Sequence, residues 1–336
     1  MRITHLGGVN LNHFAFDLDV TWNAFFTDAA LNIYSRYGGR DEGEPDARMN
    51  TSSLLHTMSE VLARHAKPEK IYQPVTPGRR TPRDIPLLRA NHRGCIRCHK
   101  VREYQLLQSF HEGRFTRRDL FRFPLPETLG LSIHRDHGHR VESVRPGSVA
   151  QAAGVRAGDV VTRVDKVPVH SEYDIRYALD RTADGQAIRV TVLRPNREGD
   201  PRLQTLSLAP KPGWWVSGIG WKKSLRSAPF RTGMRGYSLA PSQRKDLGLS
   251  TTTLAVKISS VYSDGFARSV GLKKRDVVIG IPEPILRVRK FDTFLGRVLG
   301  RYQPGDRVQL SIVRNGKRTV ISGPFPKWFS EETTVP

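Results

Sequence analysis

The stretch Val141-Glu142-Ser143-Val144-Arg145-Pro146-Gly147-Ser148-Val149-Ala150-Gln151-Ala152-Ala153-Gly154-Val155-Arg156-Ala157-Gly158-Asp159-Val160-Val161 decides how the rest of the chain is read. A β-type run ends at Pro146-Gly147-Ser148 and a short helical run follows. Gly154 is suited to the left-handed conformation that ends a helix, and Gly158-Asp159 turns the chain back into the β run Val160-Val161. Outward from this stretch the sequence repeats itself. Leu129-Gly130-Leu131-Ser132 recurs as Leu247-Gly248-Leu249-Ser250, and Gly154 to Val161 recurs as Gly271 to Val278. Gly185 to Arg194 recurs as Gly305 to Arg314. Three matched blocks in the same order imply two copies of one fold, each of about 90 residues.

The first copy resembles the PDZ domain in its bacterial form. The resemblance makes Asp174 to Asp180, with Ile175, Ala178 and Leu179, the second helix, and Gly185 to Arg194 the last strand. PDZ domains add an extended peptide, often a free C-terminus, as a strand between one β-strand and that helix. The resemblance thus implies protein C-termini or extended peptide segments as partners. It makes Leu129, Gly130, Leu131 and Ser132 the carboxylate loop, has Ile133 continue the pairing strand, and turns Arg176 and Leu179 toward the groove. The residues alone also allow Leu-Gly-Leu to be a tight turn with two core leucines. The second copy departs from the pattern: Arg275 stands before Asp276 in place of glycine, Asp264-Gly265 replaces Pro-Gly, and Ile281-Pro282-Glu283-Pro284 interrupts the next hairpin. The fold is expected there, without a working groove. PDZ pairs commonly follow a trypsin-like protease in HtrA-type proteins, yet this chain has no Gly-x-Ser-Gly-Gly segment from which a triad could be assembled.

The only 2 cysteines stand together in Cys95-Ile96-Arg97-Cys98-His99. Cys-x-x-Cys-His is the attachment signature of c-type haem: the thiols bond the vinyl groups and the imidazole becomes the iron ligand. The expectation is therefore a covalent haem on Cys95, Cys98 and His99, for electron transfer or redox sensing with a redox partner. The same residues also fit a thiol-disulfide pair at a helix start, which would lower the pKa of Cys95, or a cofactor-free scaffold. His134, His137 and His139 fall on an expected hairpin tip and read as solvated turn residues.

Ahead of the cysteines, Thr21 to Phe26 and Ile33 to Tyr37 are β-rich runs, and Leu54, Leu55, Met58, Val61 and Leu62 recur at helical spacing after Asn50. This hairpin and helix resemble the C-terminal half of a thioredoxin-like domain whose redox half is absent, with Val20 near the usual cis-proline place. Asp17 and Asp19 alternate along one face and are expected to be solvated. The fold class is multidomain α+β: residues 1–66 a partial thioredoxin-like segment, 67–93 a linker rich in proline, 94–125 a helical segment with the cysteines, 126–210 and 211–325 two PDZ-like β-barrel or sandwich domains, and 326–336 a tail. The order thioredoxin-like segment, Cys-x-x-Cys-His, PDZ, PDZ resembles a group of exported bacterial proteins. That implies a periplasmic or other extracytoplasmic location and a start truncated relative to the biological one.

With 336 residues, 38% hydrophobic and 26% charged, the chain excludes a disordered tail, a collagen and a membrane protein. No run approaches the roughly 18 apolar residues of a spanning helix, and the first residues lack the apolar core of a signal peptide. The formal charge of +22 favours anionic partners, but the basic residues are dispersed and no groove-reading module surrounds them, so nucleic acid is not expected.

Overall fold

The structure, a computed structural model, describes residues 3–41, 43, 45–67, 72–91, 94, 96–196, 199–227, 233–251, 253–263, 265–281, 298 and 301–327. The chain divides into two compact units, residues 1–101 with 116–217, and residues 102–115 with 218–336. In the first unit the hairpin of β1 (Asn23–Thr27) and β2 (Ile33–Gly38) precedes helix α1 (Thr51–His65). Asn50 caps α1, accepting from the Ser53 amide at 2.7 Å. The stretch rich in proline is less open than its composition implies. Pro82 and Pro86 stand at helix starts, where a missing N–H costs nothing, and they open a 3-10 turn and α2 (Pro86–Asn91) with Ile85 and Leu88 buried. Helix α3 (Cys98–His111) follows, and Gly113 beyond it takes a φ of +66°.

A short turn at Pro126–Thr128 leads into β3 (Leu131–Ile133), which pairs antiparallel with β4 (Val141–Val144). Ser148 caps α4 (Val149–Ala152). A four-stranded sheet in the order β6-β5-β7-β8 follows, from β5 (Val160–Val164), β6 (Val167–Pro168), β7 (Ile188–Asn196) and β8 (Gly199–Leu208). Helix α5 (Glu172–Arg181) closes the core, placing Ile175, Ala178 and Leu179 against Leu129, Leu131, Ile133, Val161 and Val190. Those side chains recur with the period of each element, so one apolar face of every strand and of α5 meets in the middle.

The other faces of α5 are covered by the N-terminal segment. The Asp174 carboxylate accepts from the Ser35 hydroxyl at 2.6 Å and the Arg36 amide at 2.8 Å, tying β2 to the first turn of α5. The Arg36 guanidinium lies 3.4 Å from the ring centre of Tyr177, and burial lowers its pKa. Tyr173 and Tyr177 pack with Phe123, Phe16 and Val20. The hairpin packs through β2 on α5, a helix of the neighbouring β domain, and α1 packs on β2. Asp17 and Asp19, expected in solvent, are buried at 2% and 4% exposure, and Asp17 stands 3.7 Å from the Arg176 guanidinium. The opposite charge of Arg176 is what allows Asp17 to leave water.

The second unit contains β9 (Met234–Ser238), α6 (Pro241–Asp246), β10 (Val256–Val261), α7 (Phe266–Ser269), β11 (Val277–Gly280), β12 (Arg307–Arg314) and β13 (Lys317–Pro324). Its sheet runs β13-β12-β11-β10-β9, all antiparallel. The internal repeat shows most plainly in one ion pair. Arg194 donates to both Asp159 oxygens at 2.8 Å and to the Gly154 carbonyl at 2.8 Å. Arg314 does the same to Asp276 at 2.8 and 2.7 Å and to the Gly271 carbonyl at 2.8 Å. Pro282, Glu283 and Pro284, expected to interrupt a hairpin, lie outside the described residues.

Candidate functional site

The site begins with Gly130. It takes a φ of +89°, and a Cβ there would stand 2.2 Å from the Ser148 Cβ, so only glycine lets the turn close on the cap of α4. Leu129 and Leu131 on either side are buried at 1% and 2% exposure, and the Leu129 carbonyl accepts from the Ala150 amide at 3.1 Å. The turn thus has the close packing and core leucines that the residues alone allow, and it delivers the chain into β3.

The backbone of β3 is polarised toward one edge. Gly130 accepts from the Arg145 amide at 2.9 Å, and the His134 amide donates to the Arg140 carbonyl at 2.8 Å, so both residues turn their backbone groups to β4. Because the groups alternate along an antiparallel pair, those of Leu131 and Ile133 point to the opposite edge. Among the described residues no strand pairs with that edge. It offers a row of donors and acceptors to any extended chain laid beside it.

Across from this edge the expected helix residues divide. Leu179, at 1% exposure, belongs to the same core cluster as Leu131 and Ile133. Arg176 is put to another use. It is 1% exposed and donates to the Phe123 carbonyl through Nε and Nη2 at 3.3 Å and to the Arg40 carbonyl at 3.2 Å. Its groove-facing role is corrected: with three backbone bonds and Asp17 alongside, the guanidinium is a tie within the unit. The Asp180 carboxylate similarly receives Arg122 and the Phe123 amide, the latter at 2.8 Å. The segment before the turn is thereby pinned to the end of α5. In the second unit β9, the strand beside β10, precedes Leu247-Gly248-Leu249-Ser250 in the chain, whereas β3 begins on the second leucine of its own Leu-Gly-Leu.

Cys98 opens α3, half-buried, and burial raises its thiol pKa. A raised pKa is the reverse of what a nucleophilic thiol needs. His99 is the next residue of that helix, and Cys95 lies outside the described residues. Among the described residues no group of three His, Cys, Asp or Glu side chains could hold a metal ion.

The histidines of the hairpin depart from expectation. His137 is exposed, but His139 is 7% exposed and lies 5.2 Å, ring centre to ring centre, from His56 of α1. Burial lowers the pKa of His139 to about 4, and burial does the same for His170. This cluster was not legible beforehand, because it joins a helix, a hairpin and the residue before α5 from distant parts of the chain.

Comparison with known proteins identifies the domain that follows β3. Residues 140–194 match the PDZ domain family, and the chain contains a PDZ domain. Over 157 residues it is 27% identical to the periplasmic pH-dependent serine endoprotease DegQ of Escherichia coli, covering 47% of this chain and 30% of DegQ. Over 150 residues it is 28% identical to the periplasmic serine endoprotease DegP of Salmonella typhimurium, covering 45% of this chain and 27% of DegP. The chain therefore spans under a third of the length of either relative. Among solved structures, the HtrA-type protease AlgW with decapeptide aligns at 18% identity and a TM-score of 0.23, over 40% of each chain.

These findings correct one expectation and agree with another. The relatives are serine proteases of the HtrA/DegP type, which overturns the reading of the chain as a haem c protein for electron transfer or redox sensing. The extracytoplasmic location read from the sequence agrees with relatives that are periplasmic. Among the described residues no helix is long and apolar enough to cross a membrane.

Proposed function

We propose that residues 126–210 capture extended peptide segments, protein C-termini among them, in the periplasm. The observation that carries this reading is the edge of β3, where the backbone groups of Leu131 and Ile133 face away from β4. A peptide would add there as a further antiparallel strand, main-chain bonds supplying affinity and side-chain contacts supplying selectivity. The PDZ match and the periplasmic location of DegQ and DegP support it. The proposal is confined to capture: no Gly-x-Ser-Gly-Gly segment occurs among these residues. The second unit shares the Asp–Arg clasp and the strand order after β10, and it is read as a PDZ-like domain without an equivalent groove.

Fluorescence anisotropy of labelled peptides ending in apolar residues tests the reading on the full chain. Free-carboxylate peptides are expected to bind, and Leu131→Pro, which removes a donor on the outward edge while sparing the ladder to β4, is expected to weaken binding more than about tenfold. Should that variant fail to fold, comparison of each peptide with its C-terminally amidated form on the native chain serves as the second arm. No binding by any peptide to the native chain would overturn the proposal.

A further inference from the structure

Away from the peptide edge, a cleft of about 850 Å³ lies within the first unit between α1 and the sheet. That volume is within the usual range for small-molecule sites, roughly 300–1,000 Å³. Helix α1 contributes His56, Glu60 and Arg64 to its wall, and Lys67 follows just beyond the helix. The facing wall holds His139 and Arg140 from the β3–β4 hairpin, Arg163 of β5, and His170, with the exposed His137 at the rim. The fixed charges are four cations, Arg64, Lys67, Arg140 and Arg163, against the single carboxylate of Glu60. A concave wall of one sign concentrates its field on the space it encloses.

Four ring and guanidinium nitrogens in this wall are buried without a hydrogen-bond partner: Nε2 of His56, Nδ1 of His139, Nε2 of His170 and Nε of Arg64. Leaving a buried polar nitrogen unpaired costs about 1–3 kcal/mol, and protonation, which a nearby anion favours, turns both nitrogens of each imidazole into donors. Imidazoles also suit a metal, but no group of three donors among the described residues could hold one.

We propose that this cleft binds a small, multiply charged oxyanion, phosphoryl- or carboxylate-bearing, through Arg64, Arg140 and Arg163. Guanidinium groups match such oxygens in geometry and keep their charge at any physiological pH. The imidazoles add a pH dependence. Burial lowers the pKa of His56, and it lowers those of His139 and His170 to about 4, so the latter two imidazoles are neutral at pH 7. A bound anion favours their charged forms, and affinity therefore rises as the pH falls.

Isothermal titration of the full chain with sodium tripolyphosphate, citrate and zinc chloride, at about pH 7.5 and 5.5, tests this. Saturable binding of one or both anions, stronger at the lower pH, is expected; tripolyphosphate alone assigns the site to phosphoryl groups and citrate alone to carboxylates. Arg64→Gln and Arg163→Gln should each weaken it about tenfold or more, while His56→Gln should flatten the pH dependence and Lys317→Gln in the second unit should change nothing. Absence of saturable binding by either anion at both pH values, zinc binding in its place, or an equal loss in Lys317→Gln would overturn the proposal.

Discussion

Arg275 holds a φ of +77° at the position where the first copy has Gly158 at +89°. A side chain with a Cβ is strained there by about 1–2 kcal/mol, and glycine is not. We therefore expect Arg275→Gly to raise the stability of the second unit by about 1 kcal/mol in urea unfolding, and Gly158→Ala to lower that of the first by a similar amount. Arg275 is exposed, so loss of its side chain should not offset the gain. Asp159 gives the complementary case. At 1% exposure it holds Arg194 and also accepts from the Arg156 amide at 2.9 Å. Asp159→Ala strands these donors and is expected to destabilise by about 3 kcal/mol, with Asp276→Ala acting alike in the second unit. The glycines and aspartates of this turn were readable in the sequence because backbone geometry restricts which residues fit there. The partner arginines were visible only as matching ends of two β runs, with nothing local to say which way they reach.

Helix α1 shows where periodicity misleads. Its apolar residues keep a helical spacing, yet Leu55, Met58 and Leu62 are exposed at 56%, 39% and 66%, and the buried stripe is Ser53, Thr57 and Val61. Polar residues can be buried because their hydroxyls are satisfied: Ser53 meets the Tyr37 hydroxyl at 2.6 Å, and Thr57 donates to the Ser53 carbonyl at 2.9 Å. The hydrophobic pattern marks the helix but not its inward face. That inward face brings His56 and Glu60 against His139 and His170, with Arg64 and Arg140 at the cleft and His137 at its rim. Since the pKa values of His139 and His170 fall from 6.5 to about 4 on folding, the unfolded chain binds more protons between those limits. Stability is complete above about pH 6.5 and is lost as the pH drops toward 4, by up to about 3 kcal/mol per imidazole. Thermal unfolding followed from pH 7 to 4 should show this slope, and His139→Gln should reduce it; a slope unchanged in that variant would refute the assignment.

Across the molecule, the PDZ domain was legible because its turns, helix stops and repeat are local signals. The tie of the N-terminal segment to α5 was not, since Ser35, Arg36 and Asp17 meet Asp174 and Arg176 only through folding. The haem reading rested on five residues alone, and relatives of the HtrA/DegP type give it no place in the function. Because β2 is bonded to α5 through Asp174, which is fully buried, Asp174→Ala is expected to destabilise the whole first unit by about 3 kcal/mol, by loss of Arg36's partner and four hydrogen bonds. Proteolysis of the N-terminal segment and unfolding of the sheet should then proceed as one transition. The most direct test of peptide capture is an amide NMR titration of the full chain with a free-carboxylate peptide. The account predicts that the amides of Leu131 and Ile133 shift most and become protected from exchange, with those of β9 unchanged. Binding that leaves the β3 amides unperturbed would contradict it.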